Sequence, residues 1–195
     1  MEHTYLQKVR ILIVDDQSFN RRLLRGILGA LGCRRVTEAK SVELAWSSLL
    51  LSAPDLVIVD WEMGDVDGLE LVRRIRHEED TPDRFMPIIM LTAHSEMPRI
   101  ETARDAGVNE FVVKPISVNT LFSRIQAVIE KPRPYIRINN FFGPDRRRKD
   151  MPFEKPDRRT GRSTLPDSVG SDEPELDQDE INTLMNPGEG EGEVS

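Results

Sequence analysis

The sequence predicts an α/β fold, a five-stranded parallel sheet with helices on both faces, and three observations carry that expectation. Short, β-branched apolar runs alternate with stretches of helical periodicity through about residues 7–131. The strongest runs, such as Ile11-Leu12-Ile13-Val14 and Leu56-Val57-Ile58-Val59, are apolar at every position, as strands buried on both faces require. The connections are a few residues long, and only right-handed β-α crossovers satisfy such an alternation.

Taken in order, Val9 to Val14 reads as the first strand and ends at Asp15-Asp16. Phe19, Leu23, Leu24, Ile27, Leu28 and Leu31 then recur at helical spacing, with Ser18 expected as the N-cap and Gly32 as the stop. Arg35 to Ala39 is a weaker strand, and Ser41 to Ser52 a helix burying Val42, Ala45, Trp46 and Leu49. Asp55 to Asp60 is the third strand; after a loop containing Gly64 and Gly68, a helix places Leu69, Val72 and Ile75 on one face. Met86 to Leu91, a helix from Ser95 to Ala106, Glu110 to Val113 and a helix from Val118 to Glu130 complete the pattern. A doubly wound, flavodoxin-like strand order 2-1-3-4-5 suits this size, with its ligand crevice at the carboxyl ends of the strands beside the first.

Composition narrows the function classes. The 195 residues suffice for one ordinary core plus an extension, expected as a domain at 7–131 and a tail at 132–195. Cys33 is the one cysteine, so no intramolecular disulfide can form. No apolar run approaches the roughly 18 to 20 residues that span a bilayer, and Met1 to Arg10 lacks a signal-like apolar core, so a soluble, cytoplasmic protein is expected. A net charge of −7 disfavours bulk nucleic-acid binding. His3, His77 and His94 are scattered and receive no role.

The predicted crevice collects Asp15 and Asp16 after the first strand, Asp60 at the end of the third, Thr92 after the fourth and Lys114 after the fifth. Three carboxylates so placed repel one another unless a divalent cation neutralises them, and Mg²⁺, with its preference for hard oxygen ligands and phosphates, is the expected cofactor. Such a cation beside a carboxylate also meets the electrostatic needs of phosphoryl transfer, with Asp60 as the expected nucleophile. Asp16 and Asp60 are then direct metal ligands, Asp15 acts through a water, and the Glu62 backbone carbonyl completes the set.

The acidic pair Asp15-Asp16, the run Asp60-Trp61-Glu62-Met63-Gly64-Asp65-Val66-Asp67-Gly68, Leu91-Thr92-Ala93 and Phe111-Val112-Val113-Lys114-Pro115 resemble, in order and spacing, the marks of two-component response-regulator receivers. The resemblance implies Asp60 as phosphoacceptor, Thr92 and Lys114 as phosphoryl-binding groups, Phe111 as the switch aromatic and a cis Lys114-Pro115 bond. It implies a histidine kinase or phosphotransfer protein as donor and a protein target for the face built from the fourth helix, fifth strand and fifth helix, as in chemotaxis or a phosphorelay. No dedicated catalytic output domain follows, so a non-enzymatic signalling role is expected. Phosphorylation would draw Thr92 inward and admit Phe111 into the space it leaves, a shift between pre-existing states. One departure is Gly64, where the family usually has proline.

From Pro132 onward the apolar periodicity collapses and eight prolines fall in 64 residues, so a largely disordered tail is expected. It is charge-segregated: 133–162 carries +6 and 163–195 carries −10. A Pro-Asp-Arg-Arg unit occurs twice, placing Arg146, Arg147 and Arg148, then Arg158 and Arg159, as candidate anion-binding forks; an adaptor or anion (cyclic dinucleotide) sensor, with this Arg-rich tail as output and the receiver as its gate, is the alternative function. Asp177 to Glu180 reads as a capping box for a short helix at 177–186 carrying Ile181, Leu184 and Met185 on one face. That segment resembles the receiver-binding peptide of flagellar motor switch proteins, which implies docking on a receiver, its own or another's.

Overall fold

The computed structural model describes residues 4–64, 66–93, 96–138, 141–145 and 178. A 3₁₀ turn at Thr4–Gln7 leads into β1 (Arg10–Val14), α1 (Ser18–Ala30), β2 (Arg35–Ala39), α2 (Val42–Ser52) and β3 (Leu56–Asp60). Next come two short strands, β4 (Glu62–Met63) and β5 (Val66–Asp67), then α3 (Gly68–His77), β6 (Ile88–Thr92), α4 (Met97–Ala106), β7 (Glu110–Val113) and α5 (Val118–Glu130). A final pair, β8 (Tyr135–Ile138) and β9 (Phe141–Pro144), follows α5.

The main sheet is parallel throughout, in the order β2-β1-β3-β6-β7, the predicted five-strand topology with the small pairs counted in chain order. Alternate residues of each strand serve opposite faces, so two cores form. Leu12, Val14, Val57 and Val59 pack with α2, α3 and α4 on one side; Ile11, Ile13, Leu56 and Ile58 pack with α1 and α5 on the other. No helix of the described residues is long and apolar enough to cross a membrane.

Helix boundaries follow local chemistry. Ser41, Asp67 and Ser117 cap α2, α3 and α5 by accepting from the amides of Leu44, Leu69 and Thr120. The first helix departs from expectation: its N-cap is Gln17, without a side-chain bond, and Ser18 is already helical. Phe19 and Leu23, assigned by periodicity to the buried face, are 68% and 46% exposed. The buried stripe of α1 runs through Leu24, Ile27 and Leu28, and Phe19 and Leu23 lie about 140° and about 100° around the helix from Leu24.

A larger difference lies just after α5. Where composition led to the expectation of an unstructured start to the tail, β8 and β9 pair as an antiparallel hairpin, closed by the Asp145 amide on the Pro134 carbonyl at 2.7 Å. Tyr135 and Phe142 form an aromatic cluster with Phe85, with ring centroids 5.3 to 5.7 Å apart. Beneath it Arg76 is fully buried and donates to the carbonyls of Gly107, Arg84 and Met86 and to Asn109 Oδ1, while the Tyr135 ring lies 5.3 Å from its guanidinium carbon. Arg133 adds a bond to the Asn109 carbonyl and an ion pair with buried Glu110. The hairpin thus latches onto the amino-terminal ends of β6 and β7, the end of the sheet away from the carboxylates.

Candidate functional site

At the carboxyl rim, β1 delivers Asp15 and Asp16, and β3 delivers Asp60. Asp15 is buried and Asp16 exposed; Asp60 is only 1% exposed. The acidic turn is fixed by its own bonds: the Gln17 amide and the Asn20 side chain donate to Asp15 Oδ1, and Arg21 donates to the carbonyls of Asp15 and Asp16. Lys114, the residue after β7, reaches across to Asp60 Oδ2 at 2.7 Å. Burial pushes the Asp60 carboxyl up to about 6; Lys114 pulls the other way, and the Asp15 charge adds to the rise.

One oxygen from each of Asp15, Asp16 and Asp60 lies within 4.8 Å of the other two. Asp15 Oδ2 and Asp60 Oδ1 are buried and have no hydrogen-bond partner among the described residues. Three clustered carboxylates, two of them with a buried oxygen that no donor meets, suit a hard divalent cation, so the residues present fit the Mg²⁺ that the sequence suggested.

Thr92 ends β6, fully buried, and its carbonyl accepts from the Lys114 amide at 2.8 Å, tying the two residues to one corner. The Lys114–Pro115 bond is cis. Phe111 is 1% exposed, with its ring centroid 6.4 Å from that of Trp61. The ring thus packs in the core beside the residue that follows Asp60.

The loop after Asp60 is more structured than a bare connection. Glu62 pairs with Asp67 and Met63 with Val66, and the intervening turn passes through Gly64 at φ +62°. Proline, locked near −65°, cannot take that angle, which gives a backbone reason for glycine at the departure from the family pattern. Gly68 is needed for a different reason: a Cβ there would stand 2.0 Å from the Asp60 carbonyl oxygen. The start of α3 is packed directly against the backbone of the central carboxylate.

Three site residues escaped sequence reasoning. Arg21 braces the acidic turn, Asp67 accepts from both the Leu69 amide and Trp61 Nε1, and Arg99 of α4 lies 3.6 Å from Glu62 and over the Trp61 ring. Only the capping role of Asp67, just before an apolar helical run, left a readable signal. Arg146, Arg147, Arg148, Arg158, Arg159, Ile181, Leu184 and Met185 lie outside the described residues.

A family model for the response regulator receiver domain matches residues 11–126. The chain belongs to the response-regulator receiver family. This receiver is 35% identical over 122 residues to the chemotaxis protein CheY1 of Helicobacter pylori, a span covering 62% of this chain and 97% of that protein. It is 38% identical over 123 residues to a CheY homolog of Campylobacter jejuni, covering 62% of this chain and 92% of the relative. Among solved structures the receiver is similar to CheY4 of Vibrio cholerae, with a TM-score of 0.57 and 26% identity over 62% of this chain and 98% of that one. A putative response regulator from Chloroflexus aurantiacus gives a TM-score of 0.58 and 29% identity, covering 63% of this chain and 98% of the other. The family match ends at 126, ahead of the β8–β9 hairpin.

Proposed function

We propose that this receiver is a phosphorylation-controlled signalling module that accepts a phosphoryl group on Asp60 and has no dedicated catalytic activity of its own. The observation that carries this reading is the buried Asp60 carboxylate held between the Asp15-Asp16 pair and the Lys114 ammonium. In the step itself, an Asp60 oxygen attacks the phosphorus of a phosphohistidine or a small acyl phosphate. The new O–P bond forms as the donor's N–P or O–P bond breaks, and the electron pair leaves with the donor.

Asp15, Asp16, Asp60 and the Glu62 carbonyl would hold Mg²⁺, which supplies charge neutralisation for the phosphoryl oxygens when bound. Lys114, released from its pairing with Asp60, is placed to meet the phosphoryl group, and the Thr92 hydroxyl is the second donor at that corner. A histidine kinase or phosphotransfer protein is the donor this chemistry suits, and a protein partner of the α4, β7 and α5 face is the output, as in chemotaxis relatives. The switch works by shifting the population of existing states, with Thr92, Phe111 and the Trp61–Arg99 contact as its moving parts.

Trp61 reports on this directly. In a Trp46→Phe background, adding Mg²⁺ and then beryllofluoride is expected to change Trp61 emission in two saturable steps, both lost in Asp60→Asn. A folded single-tryptophan protein that shows no response to either addition contradicts the reading.

A further inference from the structure

β7 is an edge strand of the sheet, paired on one side only with β6 among the described residues. In a parallel strand successive amides point to opposite sides. Because the Lys114 amide turns inward to the Thr92 carbonyl of β6, the Val113 amide before it points outward, off the free edge of β7. An outward amide on an edge strand is an unmet donor that another segment can take.

Here it is taken. The side-chain oxygen of Gln178 accepts from the Val113 amide at 2.8 Å, across 65 positions of sequence. Gln178 is the one described residue beyond Asp145, and it sits in the acidic half of the tail, flanked by Asp177, Asp179 and Glu180. The contact lies one residue before Lys114 and directly across from Thr92, with which Val113 is in register.

We propose that the tail segment around Gln178 docks in cis on the free β7 edge at Val113 and competes there with any external segment that uses the same edge. Reach permits it: 32 residues lie between Asp145 and Gln178, and an ideal coil of that length would span on the order of 30 Å, comparable with the domain itself. Tethering at that length gives an effective concentration in the millimolar range, so a weak contact is populated without a second molecule. Charge favours the same place, since Lys114 is part-exposed beside the contact and the approaching segment is acidic. The inference rests on the Gln178 contact alone and stands whether or not Asp60 is the phosphoacceptor.

Amide hydrogen exchange in the full-length ¹⁵N-labelled protein tests it. The Val113 amide is expected to exchange about fivefold faster in Gln178→Ala than in the wild type, the worth of one ordinary hydrogen bond. Gln178→Glu, which keeps an acceptor oxygen, should retain the wild-type rate, and the rates should not change with dilution. A synthetic peptide of residues 174–187 should bind full-length Gln178→Ala about fivefold more tightly than the wild type, because the tethered competitor is weakened. Equal Val113 exchange in wild type and Gln178→Ala overturns the docking. Protection that falls on dilution overturns the cis assignment and places the segment on a second copy.

Discussion

Asp60 is enclosed by the fold it serves, and removing its charge should show what that enclosure costs. Its carboxyl is raised from an ordinary 3.8 to about 6, chiefly by burial. The folded protein therefore holds the Asp60 proton up to about pH 6, while the unfolded chain releases it near 3.8. Stability is thus lost as pH rises through that window: the penalty is absent below 3.8 and complete above 6. A rise of that size corresponds to about 3 kcal/mol. Asparagine removes the ionisation cost but leaves Lys114 without its partner; that lysine side chain is 26% exposed and can turn to water. Asp60→Asn should then stabilise the metal-free protein at neutral pH by about 1–3 kcal/mol. Urea titration in EDTA should read this as a midpoint raised by about 1 M. The gap should close on acidification toward 3.8, and should narrow in Mg²⁺, which stabilises only the protein that binds it. A neutral-pH midpoint in EDTA lower for Asp60→Asn than for the wild type refutes the reasoning.

Other perturbations test separate parts of the structure. Lys114→Met removes the group that holds the Asp60 carboxyl down, so carboxyl ¹³C titration in EDTA should place Asp60 above its wild-type value of about 6. Gly68→Ala drives a methyl into the Asp60 carbonyl, and a loss of about 2 kcal/mol or more in urea titration should accompany slower acetyl phosphate labelling. Arg76→Met keeps bulk but strips donors from the Gly107, Arg84 and Met86 carbonyls; a loss of about 3 kcal/mol or more, with faster tryptic cleavage at Arg137, is expected.

Much of this fold is legible because fully buried strands and amphipathic helices announce themselves by composition and period. The bounds predicted for Arg35–Ala39, Glu110–Val113 and Val118–Glu130 match β2, β7 and α5, and the other elements shift by a residue or two at their ends. The carboxylate cluster is legible for the same reason: once the strand order is known, residues following strand ends must share one rim. What escaped depends on tertiary partners. Phe19 has helical spacing yet lies off the stripe of Leu24, Ile27 and Leu28, so an apolar residue count alone misplaces it. The β8–β9 hairpin lies in a stretch whose average polarity hides Tyr135 and Phe142, and its anchor, Arg76, is charged and would be assigned to solvent by any residue scale. Gln178 meets Val113 through a side-chain-to-backbone bond, a contact that leaves no periodic trace.

The central claim is that the buried carboxylate at the end of β3 takes up phosphorus with the help of its acidic neighbours. Intact-protein mass spectrometry after incubation with acetyl phosphate and Mg²⁺ tests it most directly. One acid-stable, base-labile phosphoryl adduct is predicted on the wild type, absent in EDTA and absent in Asp60→Asn. The same adduct forming at the wild-type rate on Asp60→Asn would contradict the account.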